Sequence, residues 1–207
     1  RFLFNYGLAE PSRRKLTHLN PSRRNYMRVL MALVVAALMS PTVTADTELK
    51  VGDVAPDFTL QASDGQSYTL SEFRGKQAVT LAWFPKAFTQ GCTIECKSLA
   101  ENGHLIKEYD VAYFMISVDD IEGDKGNKAF AESQDADFPL LGDPSKQTAT
   151  AYGVLRDFGG EYGKMAQRWT FYIGTNGKIL AIDKAVKPAT SAEDMATQLG
   201  SLEIAMR

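Results

Sequence analysis

The chain has 207 residues, of which 44% are hydrophobic and 23% charged, and a formal net charge of −2. That length suits one globular domain that folds on its own core, without disulfide staples or a structural metal. Residues 1–45 hold seven Lys/Arg and one Glu, a net +6, so the remainder carries −8. An acidic body without a basic patch argues against nucleic-acid binding.

The basic front end reads as a targeting segment. Met27-Arg28 precedes the apolar run Val29–Met39, Ser40-Pro41 breaks it, and Val43-Thr44-Ala45 offers a small-x-Ala site for cleavage after Ala45. A positive start, a short apolar stretch and small residues at the end are the parts of a secretory signal. The run is too short to cross a bilayer comfortably as a mature helix. Residues 27–45 are therefore expected to be a signal peptide. Residues 1–26 are expected to be an upstream or n-region segment outside the fold, and residues 46–207 the working domain. Export to the periplasm or medium follows, with no stable membrane insertion after cleavage. Ser22-Arg23-Arg24-Asn25-Tyr26-Met27-Arg28 also looks like a twin-arginine signal, so both export routes stay open.

Beyond Ala45 the pattern is α/β. Asp57–Ala62 and Gln66–Leu70 flank Ser63-Asp64-Gly65, which predicts a hairpin turning at Asp-Gly. Ala78–Phe84 is nearly all apolar, as expected of a strand covered on both faces, and Pro85 ends it. A helix is predicted from about Thr93 to Tyr109, then a second buried strand over Val111–Val118. Short helices are predicted near Gly126–Gln134 and Ala149–Tyr152. Arg168–Ile173 and Lys178–Ile182 read as strands joined through Thr175-Asn176-Gly177, an Asn-Gly hairpin. A last helix is predicted from Ser191, with Ser191 as its N-cap and Asp194 three residues on. Strand–helix–strand followed by a hairpin and a helix suits a thioredoxin-like fold, which alone fixes no function.

The only cysteines, Cys92 and Cys96, lie four residues apart. A bridge there would close almost no loop and stabilise little, so the pair makes better sense as a redox couple. Cys92 follows a strand and a glycine and falls in the first turn of the predicted helix. Free N–H groups and the positive end of the helix dipole favour thiolate over thiol there. A thiolate attacks peroxide oxygen and becomes a sulfenic acid. In an ideal helix the Cα atoms of Cys92 and Cys96 are about 6 Å apart, within disulfide range but with poorly aimed Cβ vectors. Bridging requires the first turn to loosen.

Pro85-x-x-x-Thr89-x-x-Cys92 resembles the active-site signature of peroxiredoxins, and Phe84-Pro-Lys-Ala-x-Thr-x-Gly-Cys-Thr93 resembles most the bacterioferritin-comigratory-protein (PrxQ) branch. Val51-Gly-Asp-x-Ala-Pro-Asp-Phe-x-Leu60, Phe138–Asp143 with Ala151–Val154, and Arg168-Trp-Thr-Phe-x-Ile-x-x-x-Gly-Lys178 match further family segments in order. The resemblance implies a thioredoxin-like α/β fold, with a central mixed sheet flanked by helices and an N-terminal β-hairpin extension. It implies a peroxidase that uses Cys92 as the peroxidatic thiol and no cofactor or metal. Thr89 would hydrogen-bond the thiolate and the peroxide, Arg168 would steady negative charge on sulfur and oxygen, and Pro85 would shield the site. The expected partners are a peroxide and a thioredoxin-like or small-thiol reductant. With no cysteine near the C-terminus, a monomer is expected.

One spacing departs from the branch. It usually places a second helix cysteine five residues after the first, whereas Cys96 follows by four, so resolution by Cys96 or by an external thiol both stay open. Two rivals have weaker support. An exported thioredoxin-like thiol–disulfide oxidoreductase normally shows C-x-x-C and a proline before the strand facing the thiols, and Gln167-Arg168-Trp169-Thr170 has none. An SCO-type copper metallochaperone needs a distant histidine, and residues 46–207 contain only His104.

Overall fold

The computed structural model describes residues 48–207. The signal-peptide reading of residues 27–45 and the assignment of residues 1–26 fall outside the described residues.

The strands are β1 (Thr59–Ala62), β2 (Ser67–Thr69), β3 (Ala78–Trp83), β4 (Val111–Ser117), β5 (Leu140–Gly142), β6 (Leu155–Asp157), β7 (Lys164–Ala166), β8 (Thr170–Ile173) and β9 (Ile179–Asp183). The helices are α1 (Gln90–Lys107), α2 (Asn127–Ser133), α3 (Gln147–Ala151) and α4 (Ser191–Ser201), with 3-10 turns at Leu70–Phe73 and Pro188–Thr190. Seven strands form one mixed sheet in the order β2-β1-β5-β4-β3-β8-β9, and β6 and β7 pair separately. The central trio β5-β4-β3 is parallel, and the outer pairings are antiparallel. The N-terminal hairpin is thus built into the sheet through β1–β5 pairing.

Alternation explains how the middle strands are covered on both faces. Val79, Leu81 and Trp83 of β3 join Phe114 and Ile116 of β4 in one apolar cluster. Ala78 and Ala82 of β3 join Val111, Tyr113 and Met115 of β4 in the other, against α1 and α4. The small residues of β3 leave room for α1 to lie close. That helix presents Cys92, Cys96, Leu99, Gly103 and Ile106 as its buried stripe, the i, i+4, i+7 spacing of an amphipathic helix. At Gly103 a Cβ would fall 2.7 Å from the Tyr113 hydroxyl, so a larger residue there would force that ring to shift where the stripe seats on β4.

Turn chemistry holds where it was expected. Gly65 (φ +82°) and Gly177 (φ +76°) take the left-handed conformation at the two hairpin turns. Four expectations need correction. Helix α1 starts three residues earlier than predicted, because Thr89 is extended and its carbonyl accepts the Thr93 N–H at 2.9 Å. It ends before Tyr109, which bridges instead to Met206. Ser191 is not the cap of α4 but its first residue, and Thr190 precedes it. Strand β8 begins at Thr170, leaving Arg168 on the connection from β7. The short strands β5, β6 and β7 escaped the sequence reading.

Candidate active site

The site forms where β3 gives way to α1. Phe84 is still tied to the sheet, its N–H donating to Ile116 O at 2.9 Å, and half-buried Pro85 stops the ladder because it has no N–H. The loop that follows is tethered from the end of β4. Asp119 Oδ2 accepts the Ala87 N–H (2.8 Å) and the Ser117 hydroxyl (3.0 Å), and Asp119 Oδ1 pairs with Lys86 at 3.3 Å. Buried Asn127, the first residue of α2, donates to Ser117 Oγ (3.1 Å) and Leu141 O (2.9 Å). Phe88 takes φ +62°, a conformation unfavourable for a bulky residue, with its ring 5.2 Å from that of Phe130.

Cys92 is the third residue of α1 and fully buried. Arg168 reaches it from the β7–β8 connection, with Nη2 donating to Sγ at 3.2 Å. Gly91 makes this approach possible, since a Cβ there would lie 3.1 Å from Arg168 Nη2. The guanidinium's other arm, Nη1, forms an ion pair with Glu95. Burial lowers the Arg168 pKa, but the opposing charges of Glu95 and Cys92 outweigh it, so the value rises above the ordinary arginine range. Arg168 is therefore a permanent cation shared between a carboxyl and a sulfur.

Glu95 was missed by the sequence reading. It is fully buried, and its second oxygen accepts the Ser191 hydroxyl at 3.5 Å. Burial pushes its pKa up to about 7, against the opposing pull of Arg168 and Ser191. An unpaired carboxylate in such a place costs several kcal/mol, which explains why both oxygens have partners. The available signal was its place in the helix, three residues after Cys92 and beside the apolar stripe.

The remaining expected residues divide. Thr89 lies at the entrance to α1, but its hydroxyl donates to Lys86 O at 2.8 Å. A hydroxyl has one proton, so in this arrangement Thr89 donates to its own loop and not to the sulfur. Cys96 lies one turn beyond Cys92, fully buried, and both thiols are free. Burial first, then the charges of Glu95 and Cys92, push the Cys96 thiol up to about 12. His104 is exposed on the same helix.

Comparison with known proteins places the chain in a family. The AhpC/TSA family matches residues 51–182. A putative peroxiredoxin of Mycobacterium tuberculosis is 35% identical over 153 residues, covering 70% of this chain and 91% of that protein. The chain belongs to the AhpC/TSA family of peroxiredoxins. Peroxiredoxin Bcp of Escherichia coli is 36% identical over 133 residues, 63% of this chain and 83% of that one. Among solved structures, peroxidoxin BcpB of Mycobacterium tuberculosis superposes with a TM-score of 0.65 at 29% identity, over 74% of this chain and 98% of that one. A Xylella fastidiosa PrxQ mutant gives 0.67 at 23% identity, over 75% and 98%, and that likeness bears on the fold alone. The thioredoxin-like α/β class and the thiol-peroxidase reading hold, and the oxidoreductase and copper-chaperone readings are not favoured.

Proposed function

We propose that Cys92 is the peroxidatic thiol of this peroxiredoxin and that Arg168 is its charge partner. The observation that carries this reading is the Arg168 Nη2 contact to Cys92 Sγ at 3.2 Å. A charge-assisted donor aimed at sulfur favours the thiolate and is placed to steady charge on the departing oxygen. The sulfur attacks the nearer oxygen of a hydroperoxide. The S–O bond forms as the O–O bond breaks, and the leaving oxygen takes a proton and departs as water or an alcohol. Pro85 and the loop to Thr89 wall the sulfur from water. Thr89 reaches the peroxide after its hydroxyl turns from Lys86 O.

The resulting Cys92 sulfenic acid condenses with a second thiol, expelling water and leaving a disulfide. That thiol is Cys96 or an external one, from a thioredoxin-like protein or a small thiol. Within the intact helix Cys96 keeps its proton, so attack by Cys96 follows unwinding of the first turn of α1, which exposes it and frees its Cβ to turn. We further propose that the protein is exported after cleavage behind Ala45 and works as a monomer. The sequence pattern of residues 27–45 supports the first part, and the placement of both cysteines in one helix, where a disulfide needs no second subunit, supports the second.

Peroxide consumption with a thiol reductant tests the reading. Cys92→Ser is expected to abolish turnover, and retained turnover would remove Cys92 from the chemistry. Mass analysis after one equivalent of peroxide reads the second step in the same sample. Loss of two hydrogens marks a Cys92–Cys96 disulfide, and a gain of one oxygen marks a sulfenic acid awaiting an external thiol.

A further inference from the structure

Helix α4 begins against the buried polar side of α1. The Ala192 N–H donates to Ser98 Oγ at 3.3 Å, and the Ser191 hydroxyl donates to Glu95 Oε1 at 3.5 Å. Thr190, which precedes the helix, gives its hydroxyl to Asp194 at 2.7 Å and does not cap the backbone. The first turn of α4 thus finds polar partners on α1. Ser191 is 3% exposed and Glu95 0%, so no solvent competes for either group.

We propose that Ser191 is a positioning residue for peroxide reduction: it fixes one oxygen of Glu95 so that the other anchors Nη1 of Arg168 and leaves Nη2 aimed at the Cys92 sulfur. The proposal rests on the reading of Cys92 as the reacting thiol. A glutamate side chain has three torsions, and its last is broad and poorly restrained by sterics. One ion pair through one oxygen leaves the carboxylate free to swing about that contact. A second contact from a different element removes that freedom, and the planar guanidinium follows the carboxylate plane. Glu95 is faced by Arg168 from the β7–β8 connection, by Asp183 from the end of β9 and by Ser191 from α4, with Cys92 and Cys96 on its own helix. Asp183 and burial oppose the carboxylate, whereas Arg168 and Ser191 favour it.

Taking away the hydroxyl leaves Oε1 buried without a partner, which favours the protonated acid. The reduced protein, with carbon-13-labelled glutamate, allows the Glu95 carboxyl to be titrated by NMR, its resonance identified by its loss in Glu95→Gln. In Ser191→Ala the Glu95 midpoint is expected to rise by about half a pH unit. The single-turnover rate of Cys92 with hydrogen peroxide is expected to fall about threefold at pH 8, and Ser191→Thr to restore both. In a Glu95→Gln background, Ser191→Ala is expected to change nothing further. Ser98→Ala, which removes the neighbouring contact between the helices, is expected to leave the midpoint in place. An unmoved midpoint in folded Ser191→Ala overturns the proposal. So does an equal loss of rate in the Glu95→Gln background, or an equal shift in Ser98→Ala. The titration uses no peroxide, so it answers for Ser191 even where the wild-type protein fails to consume peroxide.

Discussion

The first and second turns of α1 carry the same side chain and give it different surroundings. Cys92 and Cys96 are both fully buried, both free, and both on the stripe that packs against the sheet. Arg168 donates to the sulfur of Cys92. Burial, then the charges of Glu95 and Cys92, push the Cys96 thiol up to about 12. Burial keeps the Cys96 thiol protonated, and on the proposed reading the permanent cation aimed at the Cys92 sulfur is what sets the first turn apart.

Removing that cation is the most direct way to break the distinction. Arg168→Met keeps much of the side-chain bulk but takes the donor from Cys92 Sγ and leaves Glu95 buried without its ion pair. The second-order rate with peroxide is expected to fall by about 10²–10³, the scale of losing one preorganised charge-stabilising donor. Rapid-mixing measurements on reduced protein read this. A change below about threefold would mean that the helix terminus distinguishes the two turns without Arg168.

A smaller effect should come from the tether that places the first turn. Asp119→Ala removes the acceptor of the Ala87 N–H and the partner of Lys86. A buried N–H without a partner costs about 1–3 kcal/mol. The loop carrying Pro85 and Thr89 should loosen, with a rate loss of about tenfold from misplacement. Asp119→Asn, which keeps a side-chain oxygen, should lose less. Denaturant unfolding and single-turnover kinetics on the same samples check this. Wild-type rates in both variants would show that the first turn holds its geometry without Asp119.

Most of the scaffold was legible because its signals are local. The all-apolar run of β3, the Asp-Gly and Asn-Gly turns, and the i, i+4, i+7 stripe of α1 each state their structure within a few residues. The place of Cys92 in the first turn of α1 was legible for the same reason, since strand, glycine and helix start lie side by side in the chain. Glu95, Asp119 and Ser191 were not. Each matters through a contact with a residue 32 to 96 positions away, and nothing within one sequence says which acid will be buried beside which arginine. Arg168 was found only through the family resemblance. Thr89 shows the converse limit. It lies at the entrance to α1, but which atom takes its single proton is decided by the loop's own carbonyl at Lys86. Strands β5, β6 and β7, of three residues each, are too short to show a period of two.

The second turn can be tested by itself through the alkaline stability of the fold. In the unfolded chain the Cys96 thiol titrates near its ordinary value of 9.0, whereas in the fold it is held up to about 12. Across that window the native state keeps a proton that the unfolded state releases, so stability falls as pH rises. Below pH 9 both states are protonated and Cys96 contributes no slope. The buried tyrosines Tyr113, Tyr152 and Tyr172 are also held above their ordinary value of 10.0, so their loss begins later. Between pH 9 and 10 the wild type should therefore lose roughly 1 kcal/mol more than Cys96→Ala. Urea unfolding of both proteins under reducing conditions measures this difference. Any constant offset from lost packing cancels when the two pH values are compared. A flat difference would mean that water already reaches Cys96 in the folded helix. Attack by Cys96 on oxidised Cys92 would then need no ionising event beyond the fold as it stands, and the contrast between the two turns would reduce to Arg168 alone.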